Sequence, residues 1–434
     1  MRQKLLIVEV AALGSELLRT HGCEQIDGLR FAPASTVFPA VTSTVQASFR
    51  TASPPGEHGM IANGLYFREL RRPMFWEQSS ALVTGERIWS AARRRGKRVG
   101  MLFWQQSMGE DVDVLLTPAP IHKHHGGMIQ DCYARPDGLY QKLCAEVGSP
   151  FKLQQYWGPL ASYKAGDWIA QATGRVLADE ELGLDVCLTY LPTLDYDLQR
   201  AGPTGPKAAA ALDKLTGQLA WLLETARESG WEVIVFGDYA IEPVTAAAAM
   251  PNLALHRAGR LLHTRQVRGR LYPDFHTSRA FAMVDHQVAH VYVGEDCDVP
   301  AAGEALAAAE GIAEVLGEDQ QARLGLAHPR CGELVLLAEP GSWLAYPWWT
   351  DRRQAPDYAS HVDIHNKPGY DPCELLFGWP PMSVSLDVTR IRGTHGRVGP
   401  GREIAWASTV ELPGPTETLL DLARAARRLV DEEV

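Results

Sequence analysis

The chain has 434 residues, of which 46% are hydrophobic and 22% charged, and it carries a formal net charge of −10. That is globular composition, with material for a core larger than one small domain supplies. The acidic balance argues against a general nucleic-acid binder, whose footprint is basic, and no run of 18 apolar residues offers a membrane span.

The first apolar run, residues 5–11 (LLIVEVA), follows a basic start in the manner of a signal peptide. Glu9 interrupts it and no small-residue cleavage site follows, so the run reads as a buried strand. Further strands are expected at 99–103, 186–191, 233–237, 290–293 and 333–338, with helices at 86–95, 208–229 and 301–315. Short β-branched runs alternating with helical patterns predict an α/β fold, a mostly parallel sheet covered by helices on both faces. In such sheets, sites form where loops leave the carboxyl ends of the strands. The basic cluster Arg93, Arg94, Arg95, Lys97 and Arg98 reads as a solvated helix end. Residues 105–163 are irregular, rich in Gly, Pro and aromatics. The stretch 251–345 has its own texture, an Ala-rich helix and two strands. It is expected to be an inserted or cap subdomain between a core of 1–250 and a closing segment of 346–434 that ends in a helix at 416–433. The seven cysteines are scattered without a CxxC pair. No zinc knuckle or disulfide framework is indicated, and a reducing compartment, the cytoplasm, is expected.

Four places carry chemistry. Thr42 stands where a helix is expected to begin, in Pro39-Ala40-Val41-Thr42-Ser43-Thr44, and Asn63 follows in His58-Gly59-Met60-Ile61-Ala62-Asn63-Gly64. A hydroxyl at a helix N-terminus is favoured as an alkoxide, and free N–H groups there hold an anion. Taken singly, Thr42 or Thr44 is as well read as an N-cap and Asn63 as a turn residue. Asp195 follows the strand at 186–191 and Asp238 the strand at 233–237, each open to reading as a cap or turn residue. The fourth is His395, between Thr394 and Gly396.

Together these resemble the nucleotide pyrophosphatase/phosphodiesterase branch of the alkaline-phosphatase superfamily. Pro39-x-x-Thr42 matches the nucleophile segment of that branch, and His58-Gly59-x-x-x-Asn63-x-x-Tyr66 matches its asparagine segment. Gly85-Glu86-Arg87-Ile88-Trp89 and Phe103-Trp104 are similar to two further elements of it. The resemblance implies an alkaline-phosphatase-like core and a metal-dependent hydrolase of a phosphodiester or phosphomonoester. Thr42 would be the nucleophile, Asn63 would hold the phosphoryl oxygen, and one or two divalent ions would serve the entering and leaving oxygens. The implied partner is a small phosphorylated substrate, with neither nucleic acid nor membrane.

The implied metal ligands depart from the pattern. In the family a His follows the first strand-end Asp by four, and here Gln199 follows Asp195; a second His follows the other Asp directly, and here Tyr239 follows Asp238. The strand at 5–11 lacks the Asp that ends it in the family. Glu9 points to the same face as Ala11, and either reaches the site or is a buried, partnered carboxylate. His365, in the loop running to Tyr370 and Asp371, and His395 are rival claimants to one ligand role. Imidazole-rich sites suit Zn²⁺, and the oxygen donors here suit Mg²⁺, Mn²⁺ or Ca²⁺ as well. The alternatives are a metal-poor member acting on a phosphorylated metabolite without hydrolysis, or a non-catalytic binding protein. The run His122-Lys123-His124-His125 lacks carboxylate support and reads as a solvated loop.

Overall fold

The structure is a computed structural model and describes residues 4–259, 261–295 and 297–431. In chain order its principal strands begin with β1 (Lys4–Val10), β2 (Ala32–Ala34), β3 (Val99–Leu102), β4 (Val114–Pro118), β5 (Cys132–Arg135), β6 (Val186–Leu191) and β7 (Trp231–Gly237). They continue with β8 (Ala280–Asp285), β9 (Val288–Val293), β10 (Ile312–Leu316), β11 (Leu334–Ala338) and β12 (Ile404–Ser408). Among the described residues, eight of these form the main sheet in the order β5-β4-β3-β6-β1-β7-β12-β2. The inner strands β4, β3, β6, β1 and β7 are parallel, and the outer pairings are antiparallel.

The inner strands read as unbroken apolar runs because both faces are covered. Every residue of β6 is buried, as is every residue of β1 after Lys4. The helices that position the site are α1 (Thr42–Thr51), α2 (Lys164–Ala178), α3 (Asp195–Ala201), α4 (Pro206–Glu228) and α5 (Leu419–Asp431). Helices α2 and α4 pack on each other and along β6 and β7, and α1 packs against α5. Leu212, Leu215, Leu219 and Leu222 form the inner stripe of α4, each worth about 1.5–3 kcal/mol on burial.

The strands β8, β9, β11 and β10 form a second, antiparallel sheet in that order. Its β8–β9 hairpin closes through His286, a non-glycine residue at φ +59°. No helix among the described residues is long and apolar enough to cross a membrane.

Several boundaries differ from the sequence reading. The helix expected at 86–95 is only Ser90–Arg94, because the Ile88 N–H is given to the Arg50 carbonyl and the Arg87 N–H to the Ser90 hydroxyl. The helix expected at 301–315 ends at Ala307; Gly311 at φ +84° breaks it, and 312–316 becomes the edge strand β10. The irregular stretch 105–163 holds β4 and β5. Of the helix expected at 416–433, residues Leu419–Asp431 are helical, and Glu432 and Glu433 lie outside the described residues.

Candidate active site

The loops leaving β1, β6 and β7 converge with the start of α1. Gly237 ends β7 where a Cβ would stand 2.1 Å from the Leu13 carbonyl, so only glycine lets the chain place Asp238 beside the first loop. The Thr42 hydroxyl donates to Asp238 Oδ2 at 3.2 Å. Asp238 Oδ1 accepts the Ala12 and Tyr239 backbone N–H groups, both at 2.9 Å. Desolvation pushes the Asp238 carboxyl well above its ordinary range, opposed by the Ala12 N–H and aided by the charge of Asp195. A carboxylate whose proton affinity is raised, facing a hydroxyl, is suited to accept that hydroxyl's proton.

Asn63 is held by a second buried carboxylate. Its backbone N–H donates to Asp285 Oδ2 at 2.8 Å and its Nδ2 to Asp285 Oδ1 at 3.1 Å, while its Oδ1 accepts the Ser43 N–H at 3.0 Å. Asn63 thus ties the first turn of α1 to the β8–β9 hairpin and keeps one Nδ2–H to offer. Burial raises Asp285 to about 7, against the two hydrogen bonds from Asn63. Asp285 was visible in the sequence only as part of an Asp-His pair ahead of a strand, with no signal that it would meet Asn63.

Asp195 opens α3 and is enclosed by neutral donors. Oδ2 accepts from Gln199 Nε2 at 2.7 Å and Oδ1 from the Tyr239 hydroxyl at 2.9 Å. Desolvation lifts it to about 6, the two donors opposing. The Tyr239 ring stacks parallel on His395 at 3.4 Å between centroids; His395 meets His286 at 3.6 Å, and His286 meets Tyr370 at 3.8 Å. The Tyr370 hydroxyl lies 2.9 Å from Gln199 Nε2. Asp195, Tyr239, His395, His286, Tyr370 and Gln199 therefore close a ring, four aromatic groups bridged at both ends to one carboxylate.

That ring decides how well the residues fit the divalent ions the resemblance implies. His395 Nδ1 lies 2.8 Å from the Ala40 carbonyl and so carries the proton, which leaves Nε2 a buried acceptor without a partner. Burial holds this imidazole neutral, down to about 3. Nε2 is a donor a metal would accept, but its neighbours are committed elsewhere. Both oxygens of Asp195 and both of Asp238 are engaged by N–H or O–H donors. At the end of β1, Ala11 stands before Ala12, which adopts φ +61° to reach Asp238, so no carboxylate occupies that place. Among the described residues no group of three or more His, Cys, Asp or Glu side chains is arranged to hold an ion. The donor set falls short of the three or four protein ligands that a zinc site uses. It does not fit a two-ion centre.

The remaining predicted residues separate. Glu9 is completely buried, does not reach the cavity, and has no hydrogen-bond partner on either oxygen. Burial and the charge of Asp238 raise its carboxyl, against the Arg50 guanidinium and the Gln46 amide. His365 stands apart from His395, its Nδ1 3.2 Å from the Phe75 carbonyl and its ring near His122. Both histidines line one cavity of about 790 Å³, with Thr42 and Asn63 on its wall together with Asp195 and Tyr239. His286 and Tyr370 line it as well and were not assigned from sequence.

A helix that opens at Thr42 on the carboxyl side of a mainly parallel sheet, with strand-end carboxylates around it, is the arrangement of an alkaline-phosphatase-like α/β fold. The family model for type I phosphodiesterase/nucleotide pyrophosphatase matches residues 18–371. The chain belongs to that family, and its class is phosphoric ester hydrolase. Phosphonoacetate hydrolase from Sinorhizobium meliloti 1021, solved with phosphonoformate, is 17% identical with a TM-score of 0.64, over 99% of this chain and 96% of that one. Murine ectonucleotide pyrophosphatase/phosphodiesterase 5 is 14% identical with a TM-score of 0.62, over 99% and 95%. The human form gives 14% and 0.59 over the same shares. These likenesses establish the shared fold. No curated protein matches the chain.

Proposed function

We propose that the chain hydrolyses a small phosphorylated ester with Thr42 as nucleophile and Asp238 as its proton acceptor. The observation that carries this reading is the 3.2 Å hydrogen bond from Thr42 Oγ1 to Asp238 Oδ2 at the N-terminus of α1, on the wall of the cavity. Thr42 Oγ1 passes its proton to Asp238 and bonds to phosphorus; the bond from phosphorus to the ester oxygen breaks, and that oxygen takes a proton from solvent. Water then bonds to phosphorus, the Oγ1–phosphorus bond breaks, Asp238 returns its proton to Oγ1, and the water's own proton goes to solvent. One water is consumed and Thr42 is regenerated. The positive end of α1, whose Ser43 N–H is already held by Asn63, and the remaining Nδ2–H of Asn63 are assigned to the equatorial oxygens.

Phosphonoformate in the bacterial neighbour and AMP in murine ectonucleotide pyrophosphatase/phosphodiesterase 5 support a small phosphorus-bearing ligand. Divalent ions serve the family, but the donor set here leaves them outside this proposal. The division into a core of 1–250 and 346–434 with an inserted unit at 251–345 belongs to the proposal, as does a cytoplasmic site, which the free cysteines support.

The test is hydrolysis of 4-nitrophenyl phosphate and bis(4-nitrophenyl) phosphate by the wild-type protein and Thr42→Ala, with chelator and with Zn²⁺, Mn²⁺, Mg²⁺ or Ca²⁺ added back. Turnover lost in Thr42→Ala, with a phosphothreonine trapped on the wild-type chain, is expected. Turnover that survives the substitution rejects Thr42 as nucleophile. No turnover under any condition rejects the hydrolase mechanism and leaves a binding role, which the self-satisfied ring around Asp195 favours as second reading.

A further inference from the structure

Two short β-hairpins wall a recess of about 570 Å³ elsewhere on the molecule. The first pairs Gly64–Phe67 with Arg72–Phe75, and the second pairs Thr264–Val267 with Arg270–Pro273. The recess shares no lining residue with the cavity at Thr42. The first hairpin leaves directly from Asn63, and its four-residue arm puts the tip roughly 14 Å farther out.

Charge singles this recess out. Residues 257–279 hold six arginines and one acidic residue, Asp274, in a chain of net charge −10. Arg71 and Arg72 line the recess from the first hairpin and Arg265 lines it from the second. Neighbouring Arg68 shows the ordinary arrangement, with its guanidinium 2.8 Å from Glu333. Among the described residues, Arg71, Arg72 and Arg265 have no carboxylate partner of that kind. Asp274 is the one carboxylate on the lining, and its Oδ1 already accepts the His276 N–H at 3.0 Å.

Arginines scattered over a surface are solvated and need no ligand. These three gather around a concave space, where like charges repel and their field is focused rather than dispersed. Arg71 is also tethered. Its Nη1 donates to the His276 carbonyl at 2.9 Å, and its backbone holds φ +47°, a region that non-glycine residues seldom enter. That bond ties the tip of the first hairpin to the segment after the second and leaves the other guanidinium N–H groups unspent. A guanidinium is a planar fork that takes phosphate oxygens two at a time. Three forks around one space suit a group with several charged oxygens and exceed what a single carboxylate can use. The volume is that of a small-molecule site.

We propose that this recess binds a small multivalent phosphate anion, at a site separate from the cavity that holds Thr42. Arg72 and Arg265 grip the anion from the two hairpins, and Arg71 supplies the third fork.

The experiment is calorimetric titration of methylenediphosphonate, a pyrophosphate analogue that cannot be hydrolysed, into the full chain, with acetate as the monovalent control. One site per chain is expected, with affinity that falls when NaCl is raised from about 0.05 M to about 0.5 M. Arg72→Ala and Arg265→Ala are each expected to weaken binding by about tenfold, and the double variant by roughly a hundredfold. Both side chains are exposed, so the melting temperature without ligand is expected to stay unchanged in the variants. With the diphosphonate it is expected to rise in the wild type and not in the double variant. Affinity that is the same in the double variant assigns the anion to another place, the Thr42 cavity included, and overturns the proposal. No binding to the wild-type chain overturns it, as does acetate binding of equal strength. Thr42→Ala is expected to bind the diphosphonate as the wild type does, and a matching loss there would place the anion at Thr42 instead.

Discussion

Two buried carboxylates serve the two residues at the centre of the cavity, and they come from sheets of opposite character. Asp238 leaves the carboxyl end of β7 in the parallel sheet and holds the Thr42 hydroxyl. Asp285 ends β8 in the antiparallel sheet and holds Asn63 by backbone and side chain. Burial raises both, but their surroundings differ. Asp238 faces a hydroxyl that can give up its proton, whereas Asp285 faces two amide N–H groups that cannot. On the mechanism proposed above, the first arrangement does chemistry and the second fixes geometry. A raised proton affinity does not tell these roles apart, and the partner does.

The largest effect that tests this contrast is expected from Asp238→Asn, which keeps shape and removes the proton acceptor. The rate constant for hydrolysis of bis(4-nitrophenyl) phosphate is expected to fall by about 10²–10⁴-fold. A smaller loss would move the base elsewhere.

Restoring imidazoles at the two departing positions probes the ring around Asp195. Gln199→His with Tyr239→His takes away the donors that occupy Asp195 and opens the face of His395. Zinc measured in the purified double variant is expected at roughly one ion per chain, against a trace in the wild type. Equal zinc in both would show that the hydrogen-bonded ring does not keep ions out.

Asp285→Ala comes next. It leaves the Asn63 N–H and Nδ2 unpaired in a buried place, and stability from urea denaturation is expected to drop by about 1–3 kcal/mol. Activity is expected to fall through misplacement of α1 by no more than about tenfold, well short of the Asp238→Asn loss. A loss as deep as that of Asp238→Asn would erase the distinction between base and positioning residue.

The smallest effect is a pH slope. His290 of β9 lies 3.2 Å from the Ile61 carbonyl through Nε2 and accepts the Gly332 N–H at Nδ1. Burial depresses it to about 4, below the value of about 6.5 expected in the unfolded chain. The unfolded state therefore binds its proton first, and stability is lost as pH falls below about 6.5 and approaches 4. Between pH 7 and pH 5, His290→Gln is expected to lose roughly 2 kcal/mol less than the wild type. Asp195 and Asp285, raised in the folded state, act with the opposite sign, but they are common to both proteins and drop out of the difference. Equal slopes would place His290 outside the pH response.

The sequence by itself determined what is local. Unbroken apolar runs alternating with helical periods specify a parallel sheet, because strands buried on both faces carry no alternation. The residues just past those strands, Asp195 and Asp238, fall at the carboxyl edge by connectivity alone, and Thr42 at the first turn of α1 is set by its own segment. Strands with weaker patterns, such as β4, β10 and β12, were hidden among turn residues or Ala-rich sequence, and only pairing with a neighbour makes them strands. What tertiary structure decided is long-range. Asn63 meets Asp285 across 222 positions. Tyr239, His395, His286 and Tyr370 stack from four distant segments. Met128, Leu160 and Phe377, which read singly along the chain look like ordinary surface, are brought around one opening. Such contacts depend on how sheets and loops dock, and no local period encodes them. For that reason the replacement of two histidines by Gln199 and Tyr239 was visible in the sequence, whereas the ring those two residues complete was not.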